Sequence, residues 1–133
     1  MRNRTILMVL ILNIILAPLS AQSLDDAFKQ MKSALSVGNY NSLSKLFSES
    51  VDLTIRDTDG IYSKTQAKGV LKSFFENDKP KLFQITHQGS STDGTVYAIG
   101  LYISVNRSYR VYALFKEKQG SVKIVQLQIE EEL

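Results

Sequence analysis

A chain of 133 residues with 44% apolar content has room for one globular domain with a modest core, and with no cysteine it has no disulfide to staple it. The formal charge of +3 does not make it a basic protein: of 16 basic residues, Arg2 and Arg4 lie in an N-terminal segment without acids, and the remainder sets 14 against 13 acidic residues. With the lysines scattered along the sequence, the nucleic-acid-binding class is excluded for lack of a basic footprint.

The chain begins with a positive start at Arg2 and Arg4, an apolar run from Ile6 to Leu16, a helix-breaking Pro18 and the small residues Ser20 and Ala21. This layout predicts a secretory signal peptide over residues 1–21, cleaved after Ala21, leaving an exported domain over 22–133 that is periplasmic or secreted. The alternative, an uncleaved anchor, is disfavoured because the run is interrupted at Asn13 and falls short of the roughly 20 residues a spanning helix needs. No membrane association is expected after cleavage.

Ser23 with Asp26 three residues on predicts a helix N-terminus, and Leu24, Ala27, Phe28, Met31 and Leu35 recur at helical spacing up to a stop at Gly38. A shorter helix follows from Asn41, with Leu43, Leu46 and Phe47 on one face. Val51, Leu53 and Ile55 alternate as a strand, and Asp59-Gly60 reads as a hairpin turn toward Ile61 and Tyr62. Ser63 and Gln66 form a capping-box pattern that opens a third helix through Ala67, Val70, Leu71, Phe74 and Phe75, closed by Pro80.

From Lys81 to Glu130, alternating apolar segments broken by turn signals predict about four antiparallel strands. A two-residue turn at Asn106-Arg107 would set Tyr102 opposite Val111 and Gly100 opposite Ala113. A turn centred on Gln119 would then set Ala113 opposite Val125 and Tyr109 opposite Ile129. On this register one face, with Phe83, Ile85 and His87 added, is nearly all apolar and belongs to the core. The other mixes Ile99, Leu101, Ile103, Leu114 and Ile124 with Arg110, Tyr112, Gln126 and Gln128. The phase change between Val122/Ile124 and Val125/Leu127/Ile129 is expected to reflect a β-bulge near Ile124 or a strand that switches faces. The fold class is therefore α+β: three N-terminal helices packed on a curved, mainly antiparallel sheet.

The run Val37-Gly38-Asn39-Tyr40-Asn41-Ser42-Leu43-Ser44-Lys45-Leu46-Phe47 leading into Val51, with the hairpin and helix from Gly60 to Phe75, resembles the cone-shaped superfamily of nuclear transport factor 2 and ketosteroid isomerase, above all its small exported bacterial members. The resemblance implies a cystatin-like α+β roll, a pocket between the helices and the sheet, and often a homodimer through the other sheet face. It implies no particular activity.

The residues themselves offer little chemistry. His87 is the only histidine, so a multi-histidine metal site is impossible, and neither a metal nor a cofactor is expected. Asp57-Thr58-Asp59-Gly60 resembles part of a calcium loop, but turn chemistry accounts for it. Asn106-Arg107-Ser108 fits a glycosylation acceptor that a bacterial export route would leave unmodified. Tyr102, Tyr109, Phe83 and Phe74 are the pocket candidates for a small apolar ligand. Leu101, Ile103, Arg110, Tyr112, Gln126 and Gln128 are the candidates for a partner face. An isomerase or dehydratase would need a carboxylate opposite the tyrosines, and Asp52 is the nearest the strands offer. A protease inhibitor of the cystatin type is a further alternative, against which the third helix counts. The expected function is a non-catalytic binding or scaffold module.

Overall fold

The computed structural model describes residues 23–133, so the expected leader over 1–21 lies outside the described residues. Helix α1 (Leu24–Val37) starts where the Ser23 hydroxyl accepts the Asp26 N–H, and stops at Gly38, whose left-handed φ of 72° returns its N–H to Ala34. Helix α2 (Tyr40–Lys45) is capped by Asn39. Strands β1 (Phe47–Ile55) and β2 (Thr58–Ser63) follow, then α3 (Lys64–Asn77), where the Ser63/Gln66 capping box is complete. Four long strands finish the domain: β3 (Pro80–Ser90), β4 (Thr95–Ser104), β5 (Ser108–Lys118) and β6 (Ser121–Glu131). No described helix is long and apolar enough to cross a membrane.

All strands join one six-stranded sheet in the order β2-β1-β6-β5-β4-β3, antiparallel except for β1 against β6. The helices cover one face. Met31 and Leu35 from α1, Leu43 from α2 and Leu71 from α3 bury completely or nearly so against Leu53, Tyr102, Tyr109, Ala113, Phe115 and Leu127 of the sheet.

The turns differ from the sequence reading in physically informative ways. The β1–β2 turn lies at Arg56-Asp57, not Asp59-Gly60: Ile55 faces Thr58, and Asp59 is inside β2, accepting the Thr54 hydroxyl at 2.9 Å. Arg56 takes a left-handed φ of 54° while its N–H reaches the Ile129 carbonyl of β6, so the neighbouring strand fixes the turn. Asn106-Arg107 is not a two-residue turn either, since Ser104 donates its N–H to Arg107 and Ile103 faces Ser108. The β4–β5 register thus slips by two, placing Tyr102 opposite Tyr109 and Gly100 opposite Val111. An even slip changes partners but leaves every side chain on its expected face.

Odd slips do change faces, and two of those in the sheet bear on the expected assignments. A bulge between Ile85 and His87, pinned where the Thr86 hydroxyl donates to the Ile99 carbonyl at 3.2 Å, turns His87 away from the core to sit beside Ile99, exposed. A second bulge, at Val125, follows the Gln119-Gly120 turn, where both residues have positive φ. Ile124 therefore faces Phe115 inside the core, while Leu127 beyond the bulge faces Ala113. The expected bulge near Ile124 is present, but Ile124 belongs to the core, and Val125 is the unpaired residue.

Candidate functional site

The polar centre of the molecule is a residue that strand periodicity could not reveal. Asp78 caps the C-terminus of α3, its N–H returning to the Phe74 carbonyl at 2.8 Å, and its side chain is only 9% exposed. A carboxylate at the negative end of a helix is electrostatically misplaced unless something compensates it. Here the Tyr109 hydroxyl donates to Oδ2 at 2.9 Å, and Arg56 places Nη1 3.5 Å from the same oxygen. The Tyr102 hydroxyl donates to the main-chain carbonyl of Asp78. Ser104 lies 3.5 Å from Oδ1, but its single proton has the shorter path to the Arg107 carbonyl at 3.2 Å. An acid three residues past Phe75 and two before the helix-ending Pro80 is the signal from which this centre could have been found.

Aromatic rings enclose the cluster. Phe74 meets Tyr109 edge-on at 5.1 Å and lies 5.3 Å from Tyr102, and the two tyrosine rings are 6.0 Å apart. Burial, reinforced by the negative charge of Asp78, pushes both phenols above their ordinary value of 10.0. At Tyr109 the hydrogen bond to Asp78 adds to the rise and one from Arg107 opposes it.

Raised folded-state values mean that the tyrosines' contribution to stability is whole below pH 10 and is lost as pH climbs through their folded values, because the unfolded chain releases its protons first. Stability should therefore fall above pH 10 by at most about 1.4 kcal/mol per pH unit for each phenol. Denaturant melts between pH 8 and 12 check this. Tyr109→Phe should flatten the alkaline limb, and an unaltered limb would refute the assignment.

A hollow of about 370 Å³ lies beside the cluster, lined by Arg56, Asp57, Thr58, Ser73, Asn77 and Asp78 around Ile55, Val70 and Phe74. Of the pocket candidates only Phe74 reaches it. Tyr102, Tyr109 and Phe83 are packed in the core at 0%, 0% and 3% exposure. Asp52 sits between Ile61 and Gln126, on the face away from the tyrosines, so the carboxylate that meets a tyrosine is Asp78. Chemically, the Asp78 cluster is a hydrogen-bonded lock tying the end of α3 to β4 and β5, with only Arg56 and the Asp78 edge turned to the hollow. Among the described residues, no group of three or more His, Asp or Glu side chains converges as a metal site would require.

The sheet face away from the helices carries the partner-face candidates together. Leu101 faces Arg110, Tyr112 lies between Ile99 and Gln128, and Leu114 lies between Tyr97 and Gln126. Tyr97 stacks on Tyr112 at 6.2 Å, and its ring lies so close over Gly89 that any Cβ there would collide with it. Leu101, Ile103, Tyr112, Gln126 and Gln128 are all half-buried within a single chain, and Arg110 is exposed.

Comparison with solved structures places this architecture among known ones. A DUF4783 family protein from Bacteroides uniformis superposes with a TM-score of 0.74 at 30% identity, over 79% of this chain and 96% of that one. A putative calcium/calmodulin-dependent protein kinase type II association domain from Thiobacillus denitrificans gives 0.65 at 7% identity, over 84% and 96%. An NTF-2 like protein of unknown function from Burkholderia xenovorans gives 0.61 at 9%, over 81% of each chain. The latter two likenesses concern the fold alone, and it is the NTF2-like fold expected from the sequence. No curated protein matches. The model of DUF4783, a domain of unknown function, matches residues 28–130, and the chain belongs to that family.

Proposed function

We propose that this protein is an exported, non-catalytic assembly module that joins a second copy of itself through the outer sheet face. The observation that carries the reading is the belt of Tyr97, Ile99, Leu101, Ile103, Tyr112, Leu114 and Val125, half-buried and apolar on a face that no described helix covers. A sheet face exposed to water ordinarily alternates to polar residues. Strands β4, β5 and β6, which carry the belt, offer roughly 475 Å² per copy at about 4.8 Å spacing and about 33 Å length, and the adjoining β3 and β1 extend the face toward the roughly 800 Å² of a standard specific interface. The face also carries Arg110 directly beside Glu130, charges of both signs that a two-fold axis can set against each other. The Thiobacillus protein named as an association domain is a precedent for assembly on this fold.

The small-ligand reading has less support, since Tyr102, Tyr109 and Phe83 fill the space between helices and sheet. Sedimentation of residues 22–133 tests the proposal: a dimer that Leu101→Lys with Tyr112→Glu converts to a folded monomer is the expected result. A wild-type chain that stays monomeric at high concentration would overturn it. The enzyme alternative draws on one observation, the 2.9 Å bond between Tyr109 and Asp78. The two groups are committed to each other and Tyr109 is fully buried, with only an edge of Asp78 reaching the hollow, which disfavours proton exchange with a substrate.

A further inference from the structure

The lysines that look scattered in the sequence are gathered by the fold. Lys45, at the end of α2, and Lys64 and Lys68, one turn apart on α3, line a hollow of about 300 Å³ together with Asn41, Ser44 and Thr65. No carboxylate lines it. Among the described residues the ion pairs are Lys29 with Asp25 and Arg56 with Asp78, so none of these three ammonium groups is neutralised. A fourth lysine is tethered alongside, Lys123 of β6 donating to the Lys45 carbonyl at 3.2 Å. Like charges at Lys64 and Lys68, four apart on a helix, cost stability in the absence of an anion. The first turn of α3 carries no acidic residue, in contrast to Asp25 and Asp26 at the start of α1. In a domain whose overall charge is close to zero, this concentration is imposed by the packing of α2 on α3.

We infer that this hollow binds the phosphate groups of a polyanionic ligand, carried either by a soluble polyphosphate or by lipid headgroups. Several ammonium groups approaching from two helices, with hydroxyl and amide groups between them, suit a tetrahedral oxyanion bearing more than one charge. A lone carboxylate is better matched by a single arginine fork. Lys72 continues the row of Lys64 and Lys68 at the same spacing, so an extended polyanion has a further contact along α3. The site is on the helical side, away from the sheet face proposed for self-association, and the two stand or fall separately.

Tripolyphosphate titrated into the isotope-labelled domain at low ionic strength should shift the amide resonances of Ser44, Lys64 and Thr65, with affinity falling as salt is added. Lys64→Gln with Lys68→Gln should weaken binding at least tenfold at a melting temperature no lower than the parent's, while Lys118→Gln on the β5–β6 hairpin should leave binding unchanged. A parallel arm uses phosphatidylglycerol vesicles with phosphatidylcholine vesicles as the control. Binding of tripolyphosphate that the double variant loses identifies the soluble source, and binding confined to the anionic vesicles that it loses identifies the lipid source. Absence of binding in both arms, or equal losses in the Lys118→Gln control, would overturn the inference.

Discussion

Asp78→Ala should destabilise the domain by about 3 kcal/mol or more, since a buried hydrogen bond to a charged acceptor is worth about 1.5 to 3 kcal/mol and its donor is left unpaired. The truncation strands the Tyr109 hydroxyl, which has 0% of its residue surface exposed, and opens space between Phe74 and the sheet. Arg56 loses its ion pair too, but at 39% side-chain exposure water rehydrates it and little of the loss arises there. In a domain of this size each kcal/mol moves the melting temperature by about 4 to 8 °C, so the effect is unmistakable in a thermal scan. Asp78→Asn separates shape from charge. It keeps an oxygen for Tyr109 and should cost only about 1 kcal/mol. If Asp78→Ala melts within a degree of the parent, the cluster is peripheral to stability and the lock described above is wrong.

Gly100→Val should be as damaging, for a steric reason. A Cβ at Gly100 would stand 2.6 Å from two ring carbons of Phe83 and 2.8 Å from the main-chain oxygen of Gln84. Phe83 is 3% exposed and has nowhere to swing, and the Gln84 oxygen belongs to β3. Overpacking of this kind costs about 1 to 3 kcal/mol, and more when backbone must move. The expected result is a loss of about 3 kcal/mol in a denaturant melt, with Gly100→Ala already measurably destabilised because Cβ alone makes the collision. A neutral Gly100→Val would mean that β3 does not pair with β4 in the register described.

What the sequence made legible follows the range of the forces involved. Helix ends at Ser23, Gly38 and Ser63 are set by side chains within a few residues, and each is where local chemistry puts it. Strand faces were legible where alternation runs unbroken, so Leu101, Ile103, Arg110 and Tyr112 share the outer face even though their partners were misjudged by two residues. His87 and Ile124 were assigned to the wrong faces because a bulge is decided by cross-strand contacts, such as Thr86 with Ile99, that no single strand records. The site was harder still. Asp78 belongs to no periodic pattern, and its partners Arg56, Ser104 and Tyr109 stand 22, 26 and 31 residues away. The lysine hollow likewise exists only once α2 lies against α3.

The parallel pairing of β1 with β6 has a consequence for the order of events in a cell. Strand β6, made after the five others of its sheet, occupies an interior position, bonded to β1 on one side and β5 on the other, with Phe47 set against Ile124. Until it arrives, β1–β2 and β3–β5 are separate fragments with an open edge each, and the core between them has no floor. Such a chain remains unfinished for as long as it is being made. Closure of the sheet is thereby deferred to the arrival of β6, and the domain acquires its native shape in a single late step.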